Sequence, residues 1–318
     1  MHAFILAGGF ATRLWPLTEK RAKPLLPLAG KPIITHLVEK IPAEIPITVS
    51  TNAVFKEGFH EWKGTVQREN IGILIEETTH ENEKLGALGA VRQWIENDQI
   101  DEDVLLIAGD NYLAFSITEF LASAHPNTPL LAAYDIGDRE RAKAFGTVIL
   151  ADDEKTVAAF EEKPADPQST LISTGCSIIP AQTLNTLVAF AKEHPDNVGG
   201  IFEEFLRKQI TVECFTFSEP WFDIGSFEAY LEATRELVGE NVLLGTGALC
   251  EESICEGSIV IGDNSHVHGS TLENVVLFED CHVEDCILRN CILDNSCRLQ
   301  GVDLSGKMLR EKTELTQK

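Results

Sequence analysis

Apolar residues recur at Leu272, Leu277, Val283, Leu288, Leu293 and Leu299, in steps of 5, 6, 5, 5 and 6. An α-helix brings side chains to one face every 3.6 residues and a flat strand every second residue, so neither element carries this pattern. A stack of very short strands joined by tight turns does carry it, each coil burying its apolar side on the next. Cys281, Cys286, Cys291 and Cys297 stand beside these positions at spacings of 5, 5 and 6, which match neither a CxxC zinc pair nor a redox motif. They read as small apolar fillers for crowded inner corners. The pattern predicts a short parallel β-helix over residues 239–304, entered through a hinge near Gly239 to Gly247. Residues 305–318 read as a tail, with a charged helix from Lys307 to Lys318 capping the stack.

The preceding 238 residues have a different texture. Strand-like runs at His2 to Leu6, Ile47 to Ser50, Ile71 to Ile75, Val104 to Ala108, Leu130 to Tyr134, Phe145 to Leu150 and Val212 to Phe217 alternate with helical patterns. Helices are expected at Ile33 to Ile41, Ala87 to Ile95, around Phe120, at Thr183 to Lys192 and at Phe227 to Val238. Such alternation predicts an α/β fold with a Rossmann-like, mostly parallel sheet.

The chain of 318 residues has 26 basic and 50 acidic side chains and a formal charge of −24. That balance argues against nucleic acid or an anionic membrane as partner, because both need a broad basic face. With no long apolar run and no basic leader, the expectation is a cytoplasmic protein. Against this acidic background Arg13, Lys20, Arg21, Lys23 and Lys31 face one acid, Glu19, between residues 13 and 31. A basic island of this kind suits a small anionic ligand. Gly8 and Gly9 follow the first strand and allow backbone N–H groups to approach phosphate oxygens. Neither GxxxxGK[ST] nor GxGxxG is present, so the segment is neither a P-loop nor a dinucleotide fingerprint.

The fuller string, GGxxTRLxPLTxxxxKPxLP from Gly8 onward, resembles the N-terminal motif of the sugar-phosphate nucleotidylyltransferases, with Ala11 where the usual GGxGTRLxPLT has Gly. Further similarity follows in order: Leu106 to Asn111 (LIAGDN), Glu161 to Pro164 (EEKP), Ser173 to Gly175 (STG) and Trp221 to Ser226 (WFDIGS). It covers roughly the first 235 residues, and the tail is similar to the left-handed β-helix attached to many members.

The resemblance implies transfer of a nucleotidyl group from a nucleoside triphosphate to a sugar 1-phosphate, giving a nucleotide sugar and pyrophosphate. Leu6, Gly8, Gly9, Thr12, Arg13, Lys23, Glu76 and Gly86 would bind the nucleotide, and Gly146, Glu162, Lys163 and Gly175 the sugar phosphate. Arg13, Lys23 and Asp110 would carry catalysis, with Mg²⁺ held by Asp110 and Asp223. Each also has a plainer reading, Asp110 as a helix cap or turn former, Asp223 as a cap for the helix at Phe227 and Glu161 to Lys163 as a charged turn. The family's base-reading Gln is replaced by the stretch Glu76-Glu77-Thr78-Thr79, with extra residues to Lys84, so the base stays open. Glucose 1-phosphate with dTTP or UTP is the preferred pair, and mannose 1-phosphate with GTP the alternative. A non-catalytic regulatory relative is the third reading; acyl transfer fits poorly because the solenoid is short. His266 and His268, two apart, are expected to point outward rather than to bind metal, and an apolar solenoid face would permit a homo-oligomer.

Overall fold

The computed structural model describes residues 1–77 and 85–317 and falls into two compact units. The first comprises Met1–Gly9 and His36–Trp221, the second Phe10–Thr35 and Phe222–Lys318. Among the described residues no helix is long and apolar enough to cross a membrane.

The first unit is built on a nine-stranded mixed sheet. Its parallel block runs Val104–Ala108, His2–Leu6, Ile47–Asn52, Ile71–Glu76 in space, with Leu6 opposite both Ala108 and Ser50, and Asn52 opposite Glu76. Val104–Ala108 and residues 3–6 of His2–Leu6 are apolar throughout, as strands covered on both faces tend to be, whereas Ile47–Asn52 (ITVSTN) turns polar towards its end. Phe4, Leu106, Leu131 and Val148 share a core with Trp94 of the helix Ala87–Asp98 and Phe202 and Phe205 of the helix Gly200–Arg207. The expected strands all form, within a residue or two of their predicted ends. Two strands escape the sequence pattern. Val157–Glu162 pairs with Gly146–Leu150, and Leu171–Ile179 lies antiparallel to Val104–Ala108, to Leu130–Asp135 and, over one residue pair, to Gly146–Leu150. Their apolar runs are broken by Glu161 and Glu162 in the first and by Ser173, Thr174 and Gly175 in the second, and Leu171–Ile179 is bulged at Gly175, whose φ is +74°.

In the second unit the chain beyond the helix Phe227–Val238 winds into a parallel β-helix made of two five-stranded parallel sheets. Thr271 pairs with Ile287 and Ile287 with Asp303, sixteen residues apart, so one coil uses up one 5, 5, 6 set of steps. Each step ends in a corner with left-handed backbone, at Asn274, Asp280, Asp285, Asn290, Ser296, Gly301, Gly306 and Lys312. Asn, Asp and Gly tolerate that conformation best, which explains their recurrence in the sequence. Leu272, Leu277, Val283, Leu288, Leu293 and Leu299 fill the interior, and Cys281, Cys286, Cys291 and Cys297 are buried beside them as free thiols. The Cys281 and Cys297 thiols donate to carbonyls of the next coil, at Asp294 (3.2 Å) and Arg310 (3.2 Å).

Two expectations are corrected here. The tail is not a helix: Lys307 lies in the strand Asp303–Leu309 and the chain continues to the strand Glu314–Thr316, so residues 305–317 extend the last coil. Backbone pairing to Cys291, Ile292 and Leu293 outweighs the charged composition that suggested a helix. Nor is Gly239 to Gly247 simply a hinge, because Val242–Leu244 pairs in register with Ile259 to Ile261 and opens the first coil. That coil leaves Leu244, Leu249 and Ile254 exposed.

Because the interior of each coil is closed by the coils on either side, truncation there leaves a cavity. Leu288→Ala should cost about 2–5 kcal/mol in a urea titration; a loss below about 0.5 kcal/mol, the range of surface substitutions, would contradict the assigned interior.

Candidate active site

In the first unit the site residues gather where the parallel strands end. Leu6 closes its strand and its carbonyl accepts the Gly109 N–H at 2.8 Å, so the turn leading to Asp110 lies against the start of the Gly8-Gly9 turn. Asn52 and Glu76 end the next two strands. The Asn52 side chain donates to the Gly8 carbonyl at 3.0 Å, and a Cβ on Gly8 would stand 2.8 Å from Glu76 Oε1. Open α/β sheets bind ligands at this carboxyl edge. Glu76 is 6% exposed and accepts the Ser50 hydroxyl at 2.7 Å; burial pushes its carboxyl above the usual glutamate range, and the Ser50 bond opposes that only in part. Thr78, Thr79 and Lys84 lie outside the described residues. Gly86 has φ +80°, and the Pro195 carbonyl comes within 2.4 Å of where its Cβ would be, so packing alone demands glycine there.

The sugar-phosphate candidates lie on the antiparallel strands of the same unit. Gly146 pairs with Glu162, and the bulge at Gly175 brings its Cα face against Ala108, two residues before Asp110. Glu162 is crowded by missing side chains. A Cβ on Gly146 would fall 2.9 Å from its Oε2, and one on Gly199 1.9 Å. Burial raises the pKa of Glu162, with Lys163 opposing it from 3.7 Å and the Glu203 carboxylate adding to it. Glu203 also accepts the Glu162 N–H at 2.7 Å. Lys163 has left-handed backbone, φ +48°, and a side chain 65% exposed.

The second unit holds the cations. Thr12 and Arg13 lie in a 3-10 turn, Thr12–Leu14, entered through Ala11 at φ +47°, ψ +45°. The Gly of the resembled motif would sit there without the strain of about 1–2 kcal/mol that a Cβ incurs in left-handed backbone. The Thr18 hydroxyl donates to the Ala11 carbonyl at 2.8 Å, and Leu14 and Leu17 are fully buried beneath. Lys23 is 5% exposed and its ammonium donates to Asp223 Oδ1 at 3.1 Å. Arg13 Nη2 and both Asp223 carboxylate oxygens lie within 4 Å of the point where a Cβ on Gly225 would be. Arg13, Lys23 and Asp223 therefore converge within one unit. Asp223 is not the helix cap: Ser226 is, accepting the Ala229 N–H at 3.1 Å.

Three neighbours were not singled out from the sequence. Asn111 is buried and donates to the Thr174 carbonyl at 3.0 Å, holding the Gly175 bulge beside the strand that leads to Asp110. Gly199 and Glu203 shape the surroundings of Glu162. The Gly199-Gly200 pair was the available signal for the last two, whereas Asn111 had none beyond its place after Asp110.

Among the described residues no group of three or more His, Cys, Asp or Glu side chains gathers as metal ligands. Mg²⁺ needs fewer, since it commonly takes one or two carboxylates with phosphate and water oxygens. Asp223, one-third exposed, and the half-buried Asp110 have the hard oxygen donors such an ion takes. His266 and His282 face each other on successive coils, rings 5.3 Å apart, and His268 is exposed, as expected of outward-pointing residues.

A family model described as nucleotidyl transferase matches residues 2–240. The bifunctional protein GlmU of Methanocaldococcus jannaschii is 26% identical over 271 residues, covering 83% of this chain but only 61% of that relative, less than two-thirds of its length. The mannose-1-phosphate guanylyltransferase of Mycobacterium tuberculosis is 26% identical over 305 residues, 89% of this chain and 81% of the relative. A solved structure from Bacillus anthracis, provisionally named a glucose-1-phosphate thymidylyltransferase, superposes with a TM-score of 0.63 at 21% identity, over 76% of this chain and 96% of that one. It shares the fold.

The buried Glu76 makes stability depend on pH. Its folded pKa is raised above the ordinary 4.5, so the folded state holds the proton more tightly. The contribution is fully present below the ordinary value and is lost as pH rises through the folded one. Glu76→Gln should therefore raise the melting temperature at pH 7 and do so less at pH 4; an equal effect at both would contradict the buried, uncompensated carboxyl.

Proposed function

Since the chain belongs to the nucleotidyl transferase family, matched over residues 2–240, we propose that it is a sugar-1-phosphate nucleotidylyltransferase. A phosphate oxygen of the sugar 1-phosphate attacks the α-phosphorus of a nucleoside triphosphate; the new P–O bond forms as the bond to pyrophosphate breaks. The nucleophile needs no general base, because a phosphate monoester with a second pKa near 6 is already largely ionised at pH 7. Catalysis is then positioning and charge neutralisation.

The observation that carries this reading is the convergence of Arg13, Lys23 and Asp223 in a chain with a net charge of −24. Arg13 is assigned to the β- and γ-phosphates and the departing pyrophosphate, and Lys23 to the charge on the α-phosphate. Thr12, Gly8, Gly9 and Leu6 line the nucleotide's approach. Asp110 and Asp223 are the carboxylates assigned to Mg²⁺, which when bound neutralises phosphate charge. Glu162 would accept from sugar hydroxyls and Lys163 meet the incoming phosphate, with Gly146 and Gly175 leaving space for the hexose. We assign catalysis to residues 1–238, with the coils from 239 onward supporting them.

Glucose 1-phosphate with dTTP or UTP is the preferred pair. The Glu76 carboxylate would accept from a ring N–H of the base, a donor that thymine, uracil and guanine all offer. Gly86 would lie behind the base. The guanylyltransferase among the relatives favours a second reading, mannose 1-phosphate with GTP. Exposed Leu244, Leu249 and Ile254 support self-association as an added feature.

Pyrophosphate release should be measured over a matrix of nucleoside triphosphates and sugar 1-phosphates with Mg²⁺; silence across the whole matrix would leave the regulatory reading. With the active pair, Lys23→Ala and Arg13→Ala should each lower kcat about 10²- to 10³-fold while the circular dichroism spectrum is kept. Near-normal turnover of Lys23→Ala would remove its assigned role.

A further inference from the structure

The segment Phe10–Thr35, which carries Arg13 and Lys23, is part of the same compact unit as the β-helix. Four polar contacts tie it to the β-helix and to the helix Phe227–Val238 that leads into it. Lys20 Nζ lies 3.3 Å from Glu311 Oε2, and Arg310 Nε 3.1 Å from Glu19 Oε2. With Lys20 77% and Arg310 62% exposed, these two pairs are screened and contribute little. The Tyr230 hydroxyl, fully buried, donates to the Pro27 carbonyl. The fourth contact is of another kind. Arg21 Nη1 lies 3.5 Å from Asp294 Oδ1, its guanidinium stands 5.5 Å from the Phe278 ring centroid, and Asp294 is only 6% exposed.

Asp294 belongs to a rigid part of the solenoid. Its carboxylate accepts the Asn295 N–H at 2.8 Å, its own N–H donates to Leu309 and its carbonyl accepts the Cys281 thiol. A buried carboxylate fixed by its own coil is a stationary anchor for Arg21. Lys23 follows two residues later and opens a tight turn, with the Leu26 N–H on the Lys23 carbonyl at 3.0 Å. Two residues span at most about 7 Å of chain, so the position of Arg21 bounds where the Lys23 backbone can lie.

We infer that Arg21 and Asp294 are positioning residues for Lys23, and that the β-helix serves as the template that holds the phosphate-binding segment in its working geometry. The inference rests on the nucleotidyl-transfer reading above. Misplacing a catalytic group by about 1 Å can cost on the order of 10²-fold in rate, so a modest shift of this anchor should be visible kinetically.

The test uses the full chain and the active substrate pair. Arg21→Gln and Asp294→Asn should each lower kcat roughly tenfold or more with both KM values within about twofold, and Arg21→Lys should recover part of the loss. In the Lys23→Ala background, Arg21→Gln should cost nothing further, since the group it places is gone. Multiplying losses would overturn the inference, as would a wild-type kcat for Arg21→Gln. Hydrogen exchange separates this from the functional reading. Arg21→Gln should speed amide exchange in residues 20–26 about tenfold and leave the strand Val104–Ala108 unchanged. Unchanged exchange in residues 20–26 would overturn the anchoring even if Asp294→Asn failed to fold. Normal turnover by Lys23→Ala together with faster exchange would sink the catalytic assignment of Lys23, and the positioning claim with it, while the anchor stood.

Discussion

A lysine ammonium that is only 5% exposed must have a counter-charge, because an isolated buried charge would be too costly to keep. Lys23 finds it 200 residues later, in Asp223. The pair lies within one compact unit that joins two distant stretches, Phe10–Thr35 and the chain from Phe222 onward. Arg13 arrives beside the same carboxylate because the 3-10 turn at Thr12–Leu14 follows a left-handed residue and is pinned by buried Leu14 and Leu17. Positive charge is thereby concentrated at one place in an acidic protein, where a phosphate chain can use it.

The first unit solves a different problem. Parallel strands start and end together, so whatever follows them is delivered to one edge of the sheet. Gly8, Asn52, Glu76 and Asp110 share that edge for this reason alone. The antiparallel strands add Gly146, Glu162 and Gly175, and here close packing does the selecting. Gly199 is glycine because the Glu162 carboxylate occupies the space a side chain would need, and at Gly146 the Phe160 ring and the Glu162 carboxylate together fill it. That crowding also removes water from Glu162 and raises its pKa.

The β-helix was legible wherever its interior repeats. From Leu272 to Leu299 each inward position is apolar and every corner but Ser296 is an Asn or Asp tolerant of left-handed backbone, so the coil can be read off the chain. Its two ends were not legible. The first coil carries Leu244, Leu249 and Ile254 on its surface, and the last carries Lys307, Arg310 and Glu311, so neither shows the buried period. Their strands exist because a neighbouring coil offers unpaired backbone groups to bond to. The missed strands Val157–Glu162 and Leu171–Ile179 are a parallel case: their backbone pairs with the sheet, while Ser173, Gly175 and Glu162 break the apolar run that would have marked them as strands.

Local patterns along the chain were enough for the α/β alternation, the solenoid and the candidate phosphate-binding segment, since periodicity, glycine pairs and clustered charge are properties of neighbouring residues. Which distant groups meet is a property of packing. The Lys23–Asp223 pair, the Ser50 bond to Glu76, the Asn111 bond to Thr174 and the Arg21–Asp294 anchor each join residues 26 to 273 positions apart. No local pattern encodes such separations; the contacts appear only when sheet register and coil stacking bring the groups within a few ångströms.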